Sequence, residues 1–211
     1  ERLIFHNKKF SEVNKLILNK KKIKGVIFDL GYSANQIKDL STGLSFKSKS
    51  ELNMKMGLND LSADFVINNM KKENIYKIFK FFGEEKQSKI ISNSIMSDRK
   101  IKNLNTSDLV NLIEKSKKGY TKIHKATKVF QALRIYVNKE ISELIDGLIN
   151  SFQILPIGGI MAIVTFHSIE DKIVKYFFKK FSSGDTSSRY LPRKNDNKKL
   201  LNLVKKKPIV P

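Results

Sequence analysis

Two runs of apolar residues, far apart in the chain, predict the strands of a sheet. The first, IKGVIFDL at 23–30, contains an acidic residue near its end, and the second covers 160–166. Apolar runs of this length bounded by glycine and polar residues are typical of buried strands. Two shorter strands are predicted at 2–5 and, as an edge strand, within 200–210. The sheet is therefore expected to draw its strands from both halves of the chain.

Between the two runs, apolar residues recur with the spacing of an α-helix. Asn59 or Asp60 is the predicted N-cap of the first helix in this region, which would bury Leu61, Phe65, Val66 and Met70. The clearest pattern is a single apolar stripe over 127–149. The other predicted helices are 11–18, 75–82, 84–95, 106–117 and 170–181, and the predicted loops are 31–57 and 182–199.

The order of these elements predicts an open α/β sheet with a helical domain inserted between its strands. Ligands of such sheets bind beyond the carboxyl ends of the strands. Here those ends are Asp29 to Ser33 and Phe166 to Ser168. These two segments are the first candidates for chemistry.

The segment Asp29-Leu30-Gly31-Tyr32-Ser33 suits a planar heteroaromatic group that carries an amine. The Asp29 carboxylate can accept hydrogen bonds from the amine while the ring stacks on Tyr32. A cytosine amine is a poor nucleophile because its lone pair is delocalised, so an acceptor that orients its N–H groups assists alkylation. The alternative is that Asp29 merely caps the next turn.

The segment Phe166-His167-Ser168-Ile169-Glu170-Asp171 contains a histidine, a serine and two carboxylates. The G-x-S-x-G motif of the α/β hydrolases is absent, and neighbouring residues on one turn do not form a catalytic triad by themselves. Ser168 with Glu170 and Asp171 equally fits an ordinary helix N-terminus. Contact between His167 and a substrate stays open.

A third candidate is His124 with the helix that follows it. Gln131, Arg134 and Asn138 are spaced i, i+3 and i+7, so they share one helical face. Such a face can bind RNA or can simply be a polar helix surface, and the pattern does not separate the two.

Composition narrows the class of partner. Basic residues outnumber acidic ones 41 to 20, for a net charge of +21, which favours a polyanion. Nucleic acid fits better than an anionic membrane, because no strongly amphipathic basic helix with a bulky apolar face is evident. There is no cysteine and there are three histidines, so we expect no metal site. No signal-peptide or membrane-spanning pattern is found, and a cytoplasmic protein is expected.

Several segments, in order along nearly the whole chain, resemble the bacterial 16S ribosomal RNA cytosine-N4 methyltransferases. The two longest begin at His124 and at Phe166, where the family has H-P-A-T-R-x-F-Q-A-L-R-I-x-V-N-x-E and F-H-S-L-E-D-R. The others are Asp29-Leu30-Gly31-Tyr32-Ser33 with Gln36 (D-L-G-x-S-x-x-Q), Gly43-Leu44-Ser45-Phe46 (G-F-S-F), Leu52-Asn53-Met54-Lys55-Met56 (L-D-M-R-M) and Phe82-Gly83-Glu84-Glu85 (Y-G-E-E).

The resemblance implies an α/β fold: an incomplete class I, Rossmann-like methyltransferase core with an inserted all-helical domain. The core would comprise 1–45 and 146–211, and the inserted domain 46–145. The cofactor would be S-adenosyl-L-methionine, contacted by Phe10, Asp29 and Gln36. The product would be N4-methylcytidine in the RNA of the small ribosomal subunit.

Residue roles follow as expectations from the residues and the resemblance together. Asp29, Ser33 and His167 are the predicted catalytic residues. The predicted partner is 16S ribosomal RNA or the small ribosomal subunit, and a homodimer is left open. The residues expected to contact RNA are His124, Arg134, Asn138 and Ser168.

The chain also departs from the family pattern. The glycine-rich cofactor loop would precede Glu1 and the final strand would follow Pro211, so this segment alone is expected to bind the cofactor poorly. Asn53 replaces an aspartate, and Lys128 and Lys172 replace arginines, whose two-pronged hydrogen bonding lysine does not reproduce.

Two other functions are considered. A basic RNA-binding or ribosome-associated protein that kept the fold without activity would explain the absent cofactor loop. A DNA amine methyltransferase would explain the likeness of Asp29 to Tyr32 to a D-P-P-Y motif, but the helical block and the F-H-S segment disfavour it.

Overall fold

The computed structural model describes residues 3–16, 22–57, 59–183, 199–205 and 207–209. These residues divide into two compact units. The sheet unit is Glu1–Gly31 with Leu144–Pro211, and the helical unit is Tyr32–Glu143. The first unit is therefore interrupted in sequence by the second. The domain limits expected after residues 45 and 145 stay a prediction.

In chain order, the described elements begin with a 3-10 turn at Phe10–Glu12. They continue with α1 Val13–Leu16, β1 Gly25–Asp29, α2 Ala34–Lys38, α3 Ala63–Asn69, α4 Lys72–Phe82, α5 Ser88–Asp98, α6 Thr106–Ser116, α7 Thr127–Val137, α8 Glu140–Ile154, β2 Ile160–Val164 and α9 Ser168–Ser182. Among the described residues, no helix is long and apolar enough to cross a bilayer.

The sheet of the described residues is a parallel pair. β1 lies beside β2 in a register that joins Gly25 to Ile160 and Asp29 to Val164. Parallel strands need a long crossover connection, which the helical unit and α8 supply here. The prediction of these two strands is confirmed, each slightly shorter than expected.

Only one face of this sheet is buried. Side chains of Val26, Phe28, Met161 and Ile163 join a core formed with α8 and α9. On the other face Ile27 is 78% exposed and Ile160 is 61% exposed. The expectation of fully buried strands is wrong for this face, because no described element covers it. Side chains alternate across a strand, so covering one face protects only every second residue.

The helical unit has a separate core built from helices with apolar stripes. α4 packs on α5 and α7, and α5 packs on α6. The largest fully buried side chains include Phe79, Ile91, Ile113 and Leu133, one from each of these four helices. This unit therefore buries its own apolar surface.

Several helix limits differ from the prediction, including that of α5, which begins at Ser88 rather than at residue 84, and α2 lies inside the predicted loop 31–57. The N-cap of α3 is Ser62, whose hydroxyl accepts a hydrogen bond from Phe65 N at 3.2 Å, rather than Asn59 or Asp60. The expected single helix over 127–149 is broken between α7 and α8, where Lys139 has φ 53°. A left-handed residue cannot continue an α-helix, and the apolar stripe runs past the break without marking it.

Two predicted strands are not formed in the described residues. Residues 3–5 are exposed coil, and 200–205 and 207–209 pair with neither β1 nor β2. A short apolar segment becomes a strand only where a neighbour satisfies its backbone groups. Positions 2, 17–18, 184–198 and 210, which also carried predictions, lie outside the described residues.

A buried ion pair ties three segments of the helical unit together. Lys117 Nζ, just after α6, lies 2.7 Å from Glu85 Oε2, and the two side chains are 5% and 4% exposed. Lys117 Nζ also donates to Lys125 O at 2.8 Å, and Glu85 Oε1 accepts from Gln87 N at 2.9 Å. Both carboxylate oxygens of Glu85 and the ammonium group of Lys117 therefore make hydrogen bonds. These bonds offset the cost of burying the two charges.

We expect Lys117→Met to lower the free energy of unfolding by about 3–5 kcal/mol, because Glu85 would remain buried without its counter-charge. Urea denaturation would measure the change. Lys115→Met is the matched control, since Lys115 is exposed in the last turn of α6, two residues before Lys117, and should change stability by less than about 0.5 kcal/mol. An equal loss in both variants would contradict a special role for the pair.

Candidate functional site

The two candidate segments leave the sheet at the same edge. Asp29 is the last residue of β1 and pairs in register with Val164, the last residue of β2. Leu30 N continues the ladder by donating to Val164 O at 3.3 Å. The chain after Asp29 and the chain before His167 are therefore neighbours, as predicted from the carboxyl ends of parallel strands.

A close contact holds these two segments together. Gly31 has φ +93°, and a Cβ placed there would lie 3.3 Å from Cδ2 of Phe166. Glycine adopts this backbone region without strain, whereas other residues rarely do. Phe166 itself is 67% exposed, so its ring covers the Gly31 backbone while presenting its other side outward.

Asp29 is exposed at the end of β1. Within the part of the chain that the structure describes, its carboxylate accepts no hydrogen bond. The following turn is instead capped by Ser33 at the start of α2. Turn capping by Asp29, the alternative considered from the sequence, therefore has no counterpart among the described contacts, and the carboxylate oxygens face solvent at the strand edge.

His167 is the N-cap of α9. Its Nδ1 accepts a long hydrogen bond from Glu170 N at 3.4 Å, while Glu170 Oε2 accepts from Phe166 N at 2.9 Å. The imidazole is 9% exposed, and its Nε2 lies 3.2 Å from Glu170 Oε1. This second contact lacks hydrogen-bond geometry, so Nε2 is a buried polar atom without a hydrogen-bond partner among the described residues. Such atoms are uncommon, and this one lies beside the charged Glu170 carboxylate.

The start of α9 agrees with the ordinary helix N-terminus considered for this segment, with one difference. The capping side chain is His167, whereas Ser168 is the first helical residue and is exposed. Glu170 and Asp171 lie in the first turn, where acidic side chains interact favourably with the helix dipole.

Ser33 and Gln36 form a reciprocal cap on α2. Gln36 N donates to Ser33 Oγ at 3.3 Å, and Ser33 N donates to Gln36 Oε1 at 2.8 Å. Both side chains are exposed, so these bonds can be exchanged for bonds to a ligand. Just beyond, hydrogen bonds from the side chain and the backbone N–H of Ser41 lower the pKa of the Asp39 carboxyl. The carboxylate of Asp39 is therefore held in its charged form.

Arg134 is buried inside the helical unit, where a carboxylate and an aromatic ring contact its guanidinium group. Its Nε and Nη2 donate to the two carboxylate oxygens of Glu140 at 2.7 and 2.9 Å. Its Cζ lies 4.6 Å from the centre of the Tyr32 ring. A two-pronged arginine–carboxylate pair has a defined orientation, so it fixes the guanidinium plane under Tyr32.

Asn138 is also turned inward, at the break between α7 and α8. Its Oδ1 accepts from Met56 N at 2.7 Å, and its Nδ2 donates to Met54 O at 2.9 Å. Met54 has φ 54°, an uncommon conformation that these bonds help to hold. Arg134 and Asn138 thus share one polar helix face that is bonded within the unit, and their contact with RNA stays a prediction.

His124 lies in the same unit but in a different environment. Its ring stacks on Phe46 with centroids 4.6 Å apart and an interplanar angle of 12°. Nδ1 accepts from Ala126 N at 3.2 Å, and Nε2 lies 3.1 Å from Glu114 Oε1. The imidazole therefore connects the segment around Phe46 to the segment that begins at His124. These two segments are far apart in the sequence and resemble two different family motifs.

Phe10 belongs to the sheet unit. Its ring meets Phe28 edge-on with centroids 5.5 Å apart and remains 40% exposed. Gly147 makes this approach possible, because a Cβ there would lie 2.6 Å from Cδ2 of Phe10. The Phe10 ring is thereby fixed against the core of the unit with one side available to a ligand.

Sequence reasoning missed the partner of Arg134 and one buried ion pair. Glu140 corresponds to the final glutamate of the motif that begins at His124 and was given no role, although it orients Arg134 and hence Tyr32. The Lys117–Glu85 pair was missed completely. The spacing from Arg134 to Glu140 is six residues, which does not place two side chains together on a continuous helix; the break at Lys139 brings them together.

Comparison with known proteins gives a consistent result. The MraW methylase family model matches residues 1–211. A ribosomal RNA small subunit methyltransferase H from Bartonella bacilliformis is 42% identical over 186 residues, which are 87% of this chain and 56% of that protein. The enzyme of the same name from Sinorhizobium fredii is 43% identical over 173 residues, which are 81% of this chain and 51% of that protein.

The chain thus spans about half the length of the curated relatives it matches. The match extends over the whole of this chain and includes the Asp29 and His167 segments at the sheet edge as well as the helical unit. On this similarity, the chain belongs to the MraW methylase family.

Proposed function

We propose that the protein containing this chain transfers a methyl group from S-adenosyl-L-methionine to the N4 amine of a cytidine in 16S ribosomal RNA. The observation that carries this proposal is the exposed Asp29 carboxylate at the end of β1, with the His167 segment beside it at the end of β2. Two relatives that are 42% and 43% identical to this chain are named ribosomal RNA small subunit methyltransferase H. Their name supports ribosomal RNA as the substrate. Because the proposed substrate is ribosomal, the protein is proposed to act in the cytoplasm.

The residues present suit the proposed cofactor in two respects. Asp29 offers a negative charge at the sheet edge where a cationic sulfonium would be favourable, and Phe10 offers a partly exposed, fixed aromatic ring for an adenine. Gln36 has an exposed side-chain amide able to bond polar groups. When bound, S-adenosyl-L-methionine would supply an electrophilic methyl group, leaving as the thioether S-adenosyl-L-homocysteine as the nitrogen–methyl bond forms and the amine loses one proton.

The role proposed for Asp29 is to bind and orient the cytosine amine. Its carboxylate accepts a hydrogen bond from the amine N–H, which favours localisation of the nitrogen lone pair toward the methyl donor. Because the target is a weak nucleophile, this orientation is a substantial part of the barrier reduction. Ser33, which lies in the helical unit, is proposed as a further catalytic residue through its hydroxyl group.

His167 is proposed to act on the substrate side through Nε2. This nitrogen is buried and has no hydrogen-bond partner among the described residues. A polar group of the substrate that bonds to it would remove the cost of leaving it unsatisfied. Ser168, exposed next to it, is proposed as a further RNA contact.

Arg134 is proposed to position Tyr32 rather than to hold RNA phosphate. Glu140 occupies two of its donors and the Tyr32 ring lies over its guanidinium. Tyr32 is 42% exposed, so a ring held in this orientation within the helical unit provides a surface on which a base can stack.

We expect Asp29→Asn in the full-length protein to lower methyl transfer at least about 100-fold while the melting temperature is unchanged. The measurement is the formation of N4-methylcytidine in small-subunit RNA, read by mass spectrometry of nucleosides with labelled S-adenosyl-L-methionine. Asp98→Asn, an exposed change of the same kind at the end of α5, is the control and should be fully active. Wild-type turnover by Asp29→Asn would refute the proposed role.

We expect Arg134→Lys to lower kcat about tenfold with little change in KM for RNA, because lysine cannot keep the two-pronged bond that orients Tyr32. Steady-state kinetics and a melting curve would be recorded together. Arg99→Lys is the control: Arg99 donates to Ile67 O and Met70 O and is not part of the candidate site. If both variants lose stability and neither loses kcat, Arg134 is only structural.

A further inference from the structure

Helix α4 carries a surface cluster of a half-buried tyrosine, an exposed phenylalanine and an exposed lysine that the proposed chemistry does not use. Lys80 Nζ lies 5.4 Å from the centre of the Tyr76 ring and 5.6 Å from that of Phe81. Phe81 is 61% exposed. A single exposed aromatic is ordinary, but aromatic rings interleaved with cations are typical of surfaces that bind single-stranded nucleic acid.

Positive charge is concentrated around this cluster. Within residues 71–98 the exposed acidic residues are Glu73, Glu84 and Asp98, while Glu85 is buried and paired with Lys117. The exposed lysines of α4, α5 and their flanking residues are Lys71, Lys72, Lys77, Lys80, Lys86 and Lys89. Clustered basic residues on one face attract phosphates more strongly than the same charges scattered among acids.

The neighbouring helix α6 provides a contrast within the same unit. Asp108 of α6 pairs at 2.7 Å with Lys102, which lies between α5 and α6, and this bond lowers the pKa of Asp108. Glu114 is exposed immediately before Lys115. Charges on α6 therefore largely compensate each other, so the excess on α4 is not a uniform property of the helical unit.

A groove between α4 and α5 adjoins the cluster. Its volume is about 260 Å³, and its lining residues are Lys72, Glu73, Tyr76, Lys89, Ser92 and Asn93. This is smaller than the roughly 300–1,000 Å³ typical of pockets for drug-sized ligands, so it suits a single planar heterocycle. Tyr76 supplies an aromatic ring, and the exposed Asn93 amide can bond both to donors and to acceptors on a base edge.

We propose that this α4–α5 face is a binding site for an unpaired segment of RNA. One base enters the groove and stacks on Tyr76, a neighbouring base stacks on Phe81, and Lys77, Lys80 and Lys89 bind the phosphates. The inference rests on the proposed function in taking RNA as the partner, and adds a place of contact outside the Asp29 segment.

Two other partners fit the surface less well. A membrane surface is bound by a helix whose bulky apolar face is available, but Ile75, Ile78 and Phe79 of α4 are buried in the core of the unit. An acidic protein segment would use the lysines, but would leave a groove of this size and its aromatic side chain without a role.

The test uses the full-length protein carrying Asp29→Asn, so that binding is measured without turnover. Affinity for an unpaired oligoribonucleotide and for a blunt RNA duplex is compared with and without Phe81→Ala and Tyr76→Ala. We expect each alanine change to weaken single-strand binding about tenfold and duplex binding much less. Tyr76→Phe, which keeps the ring, should bind as the parent does, and Phe81→Ala is at an exposed position that does not threaten folding.

Charge is tested separately. Lys77→Glu with Lys80→Glu should weaken RNA binding and reduce the slope of log affinity against log salt by about one per lysine lost. Lys115→Glu, the matched change on α6, and Tyr120→Ala, at an aromatic that is 92% exposed, should have little effect. Equal losses in these controls, or equal binding of anionic lipid vesicles or polyglutamate to this face, would overturn the proposal.

The outcomes also separate this inference from the proposed function. If the unaltered protein makes no N4-methylcytidine but the α4 variants still lose RNA affinity, the proposed reaction fails and the binding site stands. If the protein methylates RNA and the α4 variants change neither affinity nor KM, the binding site is refuted and the reaction stands.

Discussion

The parallel pairing of β1 with β2 is the constraint on which the candidate site depends. It joins two segments separated by the entire helical unit and aligns Asp29 with Val164 at one edge of the sheet. Asp29, Gly31, Phe166 and His167 are neighbours only because this register is kept. A shift of one residue would turn each side chain of the slipped strand to the opposite face. The apolar face toward α8 and α9 resists such a shift, because Phe28 would leave the core.

The helical unit keeps its own order through polar side chains that are buried and paired. Lys117 with Glu85 joins the end of α6 to the start of α5, and Arg134 with Glu140 spans the break between α7 and α8. Such pairs add little net stability compared with apolar residues of the same size, but they discriminate strongly against packings that leave a charge unpaired. The buried Asn138 amide likewise fixes the loop at Met54 and Met56 through hydrogen bonds to its backbone.

Much of the fold could be predicted from the sequence because it follows from periodicity. The apolar runs located both strands, and helical spacing located most helices, since burial of one face dictates both patterns. The break at Lys139 was missed because lysine, unlike glycine or proline, has no backbone preference that predicts the end of a helix. At the site, the edge position of Asp29 could be predicted from strand order. The inward orientation of Arg134 and Asn138 could not, because their partners Glu140, Met54 and Met56 come together only after the chain bends.

The open face of the sheet has a consequence for the behaviour of this segment as an isolated polypeptide. Ile27, Ile160 and Val164 present an apolar surface to water, and two strands alone make a marginal sheet. Among the described residues both strands also have an edge whose backbone groups are unpaired, which is a template for strands of other molecules. Association of the isolated segment would therefore depend on its concentration. It would stay monomeric at low concentration and associate edge to edge at high concentration, unless further polypeptide covers this surface.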